Sequence, residues 1–180
     1  GADPCYVDTD GKIALTANYS SGTISVFPIL KNGTLDKSLL MVSSKKGGPN
    51  KTRQNTPHAH CAIFAPDGYI LSTDFSGDRI LSFYYDKNKK KLEDHGIAAH
   101  LKAGSGPRHI TFSPNGKYAY LISELSGKVT VFTYKEGKLK KIQTLVADDA
   151  RAQGGADIHV SPDGKFVYAS TRLKGDGITI

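Results

Sequence analysis

Short apolar runs broken by turn residues recur along the chain, and the stretches 1–27, 56–84, 106–132 and 155–180 align with one another. Each holds an apolar run, a tight Asp-Gly or Asn-Gly step, a second run, a turn near Ser-Gly or Lys-Gly, and a third run. Asp-Gly and Asn-Gly suit tight reversals because Gly takes a positive φ without steric cost, so each unit reads as strand, turn, strand, turn, strand. The turn glycines Gly11, Gly68, Gly116 and Gly164 are spaced by 57, 48 and 48 residues. That period belongs to propeller blades, each a four-stranded antiparallel sheet. The lysine-bearing segments 91–97 and 135–143 are expected to add the fourth, outermost strand, where Lys discourages edge-to-edge pairing.

In 118–122 and 129–134 both alternating faces carry large apolar or aromatic groups, the pattern of sheets sandwiched between neighbours. No helix is expected; 147–153 reads as a loop into Gly154-Gly155. The prediction is all-β: one partial β-propeller domain with units near 1–55, 56–105, 106–154 and 155–180. The last unit stops inside its third strand, which predicts nearly four blades of a larger ring, with a closed four-bladed ring as the alternative. The loop 42–56 accounts for the longer first spacing, and a loop of that length in a compact domain is often functional.

Composition adds three things. The 180 residues are 38% hydrophobic and 23% charged, with 19 Gly and 8 Pro, which is globular and turn-rich. No run approaches the roughly 18 apolar residues of a membrane helix, so no membrane association is expected. The formal charge of +7 points to an anionic partner. Many lysines fall in turn-like runs such as 87–91 and 45–46 and read as solvated loop charge; with no basic amphipathic stretch and no aromatic RNA-binding signature, nucleic acid is not an expected partner. Cys5 and Cys61 match no paired or zinc spacing and are expected to be free, buried thiols of a reducing compartment.

Repeat register singles out four polar residues. His60 and Arg108 each precede their turn glycine by eight positions, and Glu124 and Arg172 each follow theirs by eight. Such residues on otherwise apolar strands need a partner or a watery cavity. One reading is an inter-blade ion pair between Arg108 and Glu124. The other is a site for a small anion, with two guanidiniums to fork a carboxylate or phosphate and an imidazole and carboxylate for proton transfer. His58 falls on the same strand side as His60 and could pair with it on a metal, but no further ligand set is evident, and no metal is expected. Asp74, within DFSGDR, reads as a local ion pair with Arg79 or as an edge of the site. His109 and His159 read as packing histidines, Asp3 and Asp157 as turn or strand-start residues, and Asn18 as a channel residue or turn cap. No G-x-S-x-G motif is present, so a serine triad is not expected.

Together GGPNKTRQNTPHAH (47–60), DFSGDRI (74–80), GPRHITFSPNGKYAYLISELSG (106–127) and GADIHVSPDGKFVYASTR (155–172) make the whole chain resemble the lactonase, or cycloisomerase-type 6-phosphogluconolactonase, family. The resemblance implies a seven-bladed ring of which this chain holds nearly four blades. It implies hydrolysis of 6-phospho-D-glucono-1,5-lactone to 6-phosphogluconate, in the pentose phosphate pathway, without metal or cofactor. In the related carboxymuconate-lactonizing branch a His, an Arg, a Glu and a second Arg act from adjacent blades; these carry over onto His60, Arg108, Glu124 and Arg172. His60 is then the base, and the arginines hold phosphate or polarise the carbonyl. Glu124 orients His60 or the substrate, or returns a proton; beside this carried-over set, His58 and Asp74 are kept from the reading of the residues as substrate-binding candidates. A small anionic sugar lactone is the implied partner, and the full-length protein is expected to be a cytoplasmic monomer. A carboxymuconate-type cycloisomerase, another sugar-acid lactonase, and a non-catalytic binding propeller remain as alternatives.

Overall fold

The computed structural model describes residues 1–42, 44–45 and 47–180, with Leu40 and Val42 described by their backbone alone; Ser43 and Lys46, the second lysine of the 45–46 pair, lie outside the described residues. Fifteen strands and no helix are found among them. The first sheet holds β1 (Pro4–Thr9), β2 (Ile13–Asn18), β3 (Thr23–Pro28) and β4 (Leu39–Val42). The second holds β5 (Ala59–Phe64), β6 (Tyr69–Asp74), β7 (Arg79–Asp86) and β8 (Lys91–His100). The third holds β9 (Pro107–Phe112), β10 (Tyr118–Ser123), β11 (Lys128–Lys135) and β12 (Lys138–Val146). The fourth has three strands, β13 (Gly155–Val160), β14 (Val167–Thr171) and β15 (Gly177–Thr179).

All pairings are antiparallel between consecutive strands, and the first strands of adjoining sheets pack beside one another, which makes a partial β-propeller. The turn glycines Gly11, Gly68, Gly116 and Gly164 have φ of 78°, 87°, 68° and 72°, the left-handed region that glycine tolerates. The fourth strands run further than expected, to His100 and Val146, and β12 is largely exposed with Lys138, Lys140 and Lys141 on it.

Strand alternation sends one residue into each flanking seam, because successive side chains point to opposite sheet faces. Ile70 packs with Leu15, Ile24 and Phe83 between the first two sheets, whereas its neighbour Leu71 packs with Ile80, Ile110, Leu121 and Phe132 between the second and third. Ile122, one step from Leu121, faces Val129, Ile158 and Ala169 against the fourth. Each sheet thus depends on its neighbours for burial. One expectation fails here: Cys61 is fully buried, but Cys5 is exposed, because it sits at a bulge on the innermost strand and not in a seam.

Every innermost strand is irregular at the corresponding place. Pairing skips Cys5 in β1, His60 in β5, Arg108 in β9, and Ala156 and Asp157 in β13. A bulge leaves one residue outside the ladder and re-aims its side chain, so these positions are released from seam packing.

Candidate active site

The bulges supply one set of side chains and the ends of the second strands supply another. Tyr19, Phe75, Glu124 and Arg172 each follow directly on β2, β6, β10 and β14. The two sets meet. Tyr19, Arg53, His60, Arg108, Glu124, Arg172 and Leu173 line a cavity of about 390 Å³, so the four residues singled out by register share one pocket.

Glu124 is its organising centre. The buried carboxylate accepts hydrogen bonds from Arg53 Nη2 at 2.6 Å, Arg108 Nε at 3.0 Å and Arg172 Nη2 at 3.3 Å. Three guanidiniums on one carboxylate leave a local excess of two positive charges, which favours a bound anion. The Arg108–Glu124 pair lies within the third sheet and is not an inter-blade tie. Arg172, from the fourth sheet, and Arg53, from the loop ahead of the second, make the ties between units. Arg108 is further fixed by the Ala156 carbonyl, which accepts from Nη1. Arg172 is placed by its own N–H, which donates to the Gly154 carbonyl at 2.9 Å; the chains approach so closely that a side chain at Gly154 would strike the Arg172 backbone.

Arg53 was not among the residues that register could find, since its loop, 43–58, is much longer than the equivalent connections 101–106 and 147–154. The loop is nonetheless built. Asn50 Oδ1 accepts from the Thr52 and Arg53 N–H groups, and the fully buried Gln54 receives the Asn50 N–H and donates to the Phe75 carbonyl. Arg53 lies over the Phe75 ring at 5.3 Å and reaches Tyr19 Oη at 3.4 Å. Tyr19 was missed as well, although the same register marks it: it follows Gly11 by eight positions, as Glu124 and Arg172 follow their glycines.

His60 is buried, in edge contact with Tyr19 at 5.4 Å and His109 at 5.1 Å. Burial, then the fields of Arg108 and His109, push its pKa down to about 3, so the imidazole is neutral near pH 7. An unfolded His titrates near 6.5, so as pH falls below about 6.5 the unfolded chain takes up this proton first. The stabilising contribution is complete above that pH and is lost at up to about 1.4 kcal/mol per pH unit on the way down to the folded pKa. Urea unfolding between pH 5 and 7.5 should therefore show a shallower acid limb in His60→Gln than in the wild type. Equal slopes would place the proton elsewhere.

The structure does not bring His58 or Asp74 to the pocket wall. His58 stacks on Tyr19 at 4.0 Å, with Nδ1 at 3.1 Å from the Tyr19 carbonyl and Nε2 at 3.0 Å from Thr56 Oγ1, so it supports Tyr19 and has both nitrogens engaged. Asp74 is fully buried and accepts from Ser44 Oγ at 2.5 Å, the Gly77 N–H and Arg79 Nε, the last at 2.8 Å; it fastens a loop and a turn. Asn18, buried at the end of β2, donates to Thr23 Oγ1 and Ser25 Oγ on β3.

His109 packs as expected, against Tyr6 and His60, whereas His159 is exposed, and both meet one carboxylate. Asp157, freed by its bulge, accepts from His109 Nδ1 at 2.7 Å and His159 Nε2 at 2.9 Å. Burial works to raise the Asp157 carboxyl, but the two histidines outweigh it and lower it to about 2. A carboxylate only accepts, so His109 carries its proton on Nδ1 and offers Nε2 to Arg108 Nη1 at 3.4 Å. Asp157 thus steers Arg108 through His109. Asp157→Ala should lower kcat/KM by about tenfold, a change of ~1.4 kcal/mol, whereas Asp157→Asn, whose amide oxygen still accepts the proton, should keep most of the activity. Steady-state kinetics on both variants would show equal losses if the carboxylate acted by charge alone.

The fold and pocket define a β-propeller with an arginine-rich pocket where its innermost strands meet the ends of its second strands. Residues 1–180 match the family model described as lactonase, 7-bladed beta-propeller, and the chain belongs to that family. It is 37% identical to a 6-phosphogluconolactonase of Bacillus subtilis over 96% of this chain and 50% of that protein. A crystal structure of a candidate 6-phosphogluconolactonase from Bacteroides uniformis is similar with a TM-score of 0.94 at 56% identity, over 99% of this chain and 52% of that one. A periplasmic gluconolactonase of Pseudomonas aeruginosa is similar with a TM-score of 0.83 at 31% identity, over 94% and 50%. The chain spans about half the length of the curated relatives it matches.

Proposed function

We propose that this chain carries the site of a metal-independent lactone hydrolase that converts 6-phospho-D-glucono-1,5-lactone to 6-phosphogluconate. The observation that carries the reading is the Glu124 cluster, whose three guanidiniums beside a neutral imidazole suit a phosphorylated lactone. A sugar phosphate is nearly a dianion at neutral pH, its second pKa being about 6, and it matches the excess charge. The relatives named 6-phosphogluconolactonase support the same substrate.

The chemistry follows from the placement. Neutral His60 takes a proton from water as the water oxygen bonds to C1. Arg108, held at Nε and Nη1, stabilises the oxyanion that forms on the carbonyl oxygen. The C1–O5 bond then breaks as His60 returns the proton to O5, and the new carboxylic acid ionises to solvent. Glu124, with both oxygens engaged by guanidiniums, acts as an anchor and not as the proton donor. A bound phosphate dianion offsets the local positive field, which lifts His60 toward the range in which it holds a proton transiently.

The reaction belongs to the oxidative pentose phosphate route, and with it goes a cytoplasmic monomer acting on a small anionic lactone. A gluconolactonase acting on the unphosphorylated ring is the second reading, favoured by the Pseudomonas structure. Competing the phosphorylated lactone against glucono-1,5-lactone and carboxymuconolactone separates the readings. The phosphorylated lactone should have the highest kcat/KM; a preference for either of the others would overturn the assignment.

A further inference from the structure

The three arginines are not equivalent. The Arg108 side chain is 14% exposed and is tied at Nε to Glu124 and at Nη1 to the Ala156 carbonyl and His109. Arg53 and Arg172 are 40% and 47% exposed, and each meets Glu124 through Nη2 alone. A guanidinium has five N–H donors in a planar fork, so these two present donors to the open side of the pocket while Arg108 is committed to its inner wall.

Charge counting separates Arg53 from Arg172. The repeat-derived frame of Arg108, Arg172 and Glu124 has a net charge of about +1, assuming the ordinary ionised forms. Arg53 raises that to about +2, the charge that matches a phosphate dianion. It comes from the extra length of the β4–β5 connection, 43–58, whose equivalents 101–106 and 147–154 are much shorter, so the frame exists without it and the longer loop adds it. Its position is prepared in advance: Asn50 caps the turn, buried Gln54 pins the loop to the Phe75 carbonyl, and the Phe75 ring lies beneath the guanidinium. A group arranged beforehand loses little entropy on meeting its ligand.

We infer that Arg53 is the specificity-determining residue by which this pocket separates phosphorylated from unphosphorylated aldonic acids and their lactones. The inference rests on the lactonase reading for the identity of the ring and deepens it. Arg53 and Arg172 take the phosphate on the open side, which sets the lactone carbonyl toward Arg108 and His60. A sugar without phosphate leaves Arg53 with Glu124 and gains nothing from it.

The test is calorimetric binding of 6-phosphogluconate and gluconate to the complete protein at pH 8, in the wild type, Arg53→Gln and Arg53→Lys, with thermal melting to establish that each is folded. Loss of a charge-assisted bond to a dianion is worth about ten- to a hundredfold in affinity. The wild type should favour 6-phosphogluconate, Arg53→Gln should cut the affinity ratio at least tenfold, and Arg53→Lys, which keeps the charge without the fork, should fall between. An unchanged ratio, or an equal loss for both ligands, overturns the inference by making Arg53 a general support of the pocket. Because the readout is binding of products, it stands apart from turnover: a protein that shows the predicted ratios but hydrolyses no lactone would sink the hydrolase reading and leave the role of Arg53 intact.

Discussion

The His60→Ala protein is expected to hydrolyse 6-phosphogluconolactone at about a thousandth of the wild-type rate, the scale of a lost general base. KM should change much less, since the guanidiniums that hold the anion remain. His60 makes ring contacts with Tyr19 and His109 and lies near Cys5 Sγ, 4.0 Å from Nδ1, and no ion pair of His60 is found among the described residues. Truncation therefore leaves a small hole; above about pH 6.5 the imidazole is neutral folded and unfolded, so only the hole counts, and a change of about 1 kcal/mol shifts melting by only a few degrees. A large loss of kcat with a nearly intact melting curve is the signature of a reacting group. A propeller in which His60 merely packs would show the reverse, and turnover that survived the substitution would remove His60 from the chemistry.

Glu124→Ala is expected to act through stability as well as activity. Removing the shared carboxylate leaves three guanidiniums facing one another in a partly buried pocket. Breaking a buried pair by deleting one partner costs about 3–5 kcal/mol, and the exposure of Arg53 and Arg172 puts this case near the lower end. The arginines would also lose their aim, so kcat/KM should fall by about a hundredfold or more. An anion can replace part of what was lost. Inorganic phosphate at tens of millimolar should raise the melting temperature of Glu124→Ala by several degrees more than that of the wild type, because it binds the folded pocket and supplies the missing negative charge. If the variant melted with the wild type, or phosphate lifted both alike, Glu124 would not be the hub of the cluster.

The architecture was legible because two independent periodicities agree. The spacing of Gly68, Gly116 and Gly164 marks the blades, and the doubly apolar strands such as Tyr118–Ser123 require neighbours on both faces. The same register brought His60, Arg108, Glu124 and Arg172 together, since bulges and strand ends recur with the turns. What it missed has physical reasons. Arg53 reaches Glu124 from a loop much longer than its equivalents, and the loop's course depends on the contacts of Asn50 and Gln54. The Asp157 link to His109 exists because a bulge turns Asp157 out of the strand ladder, and alternation alone assigns such a residue to the wrong side. Asp74 and His58 were drawn in by their neighbours in sequence, yet backbone and hydroxyl partners hold both outside the pocket wall.

The central claim is that the Glu124 cluster with His60 hydrolyses a phosphorylated sugar lactone. The most direct measurement is turnover of 6-phosphogluconolactone by the complete protein, read against the spontaneous rate and beside Arg108→Ala. Turnover well above background in the wild type, falling by about a hundredfold or more when the oxyanion-facing guanidinium is removed, is the predicted result. A folded wild-type protein that leaves the lactone at its spontaneous rate, or an Arg108→Ala protein as active as the wild type, would contradict the account.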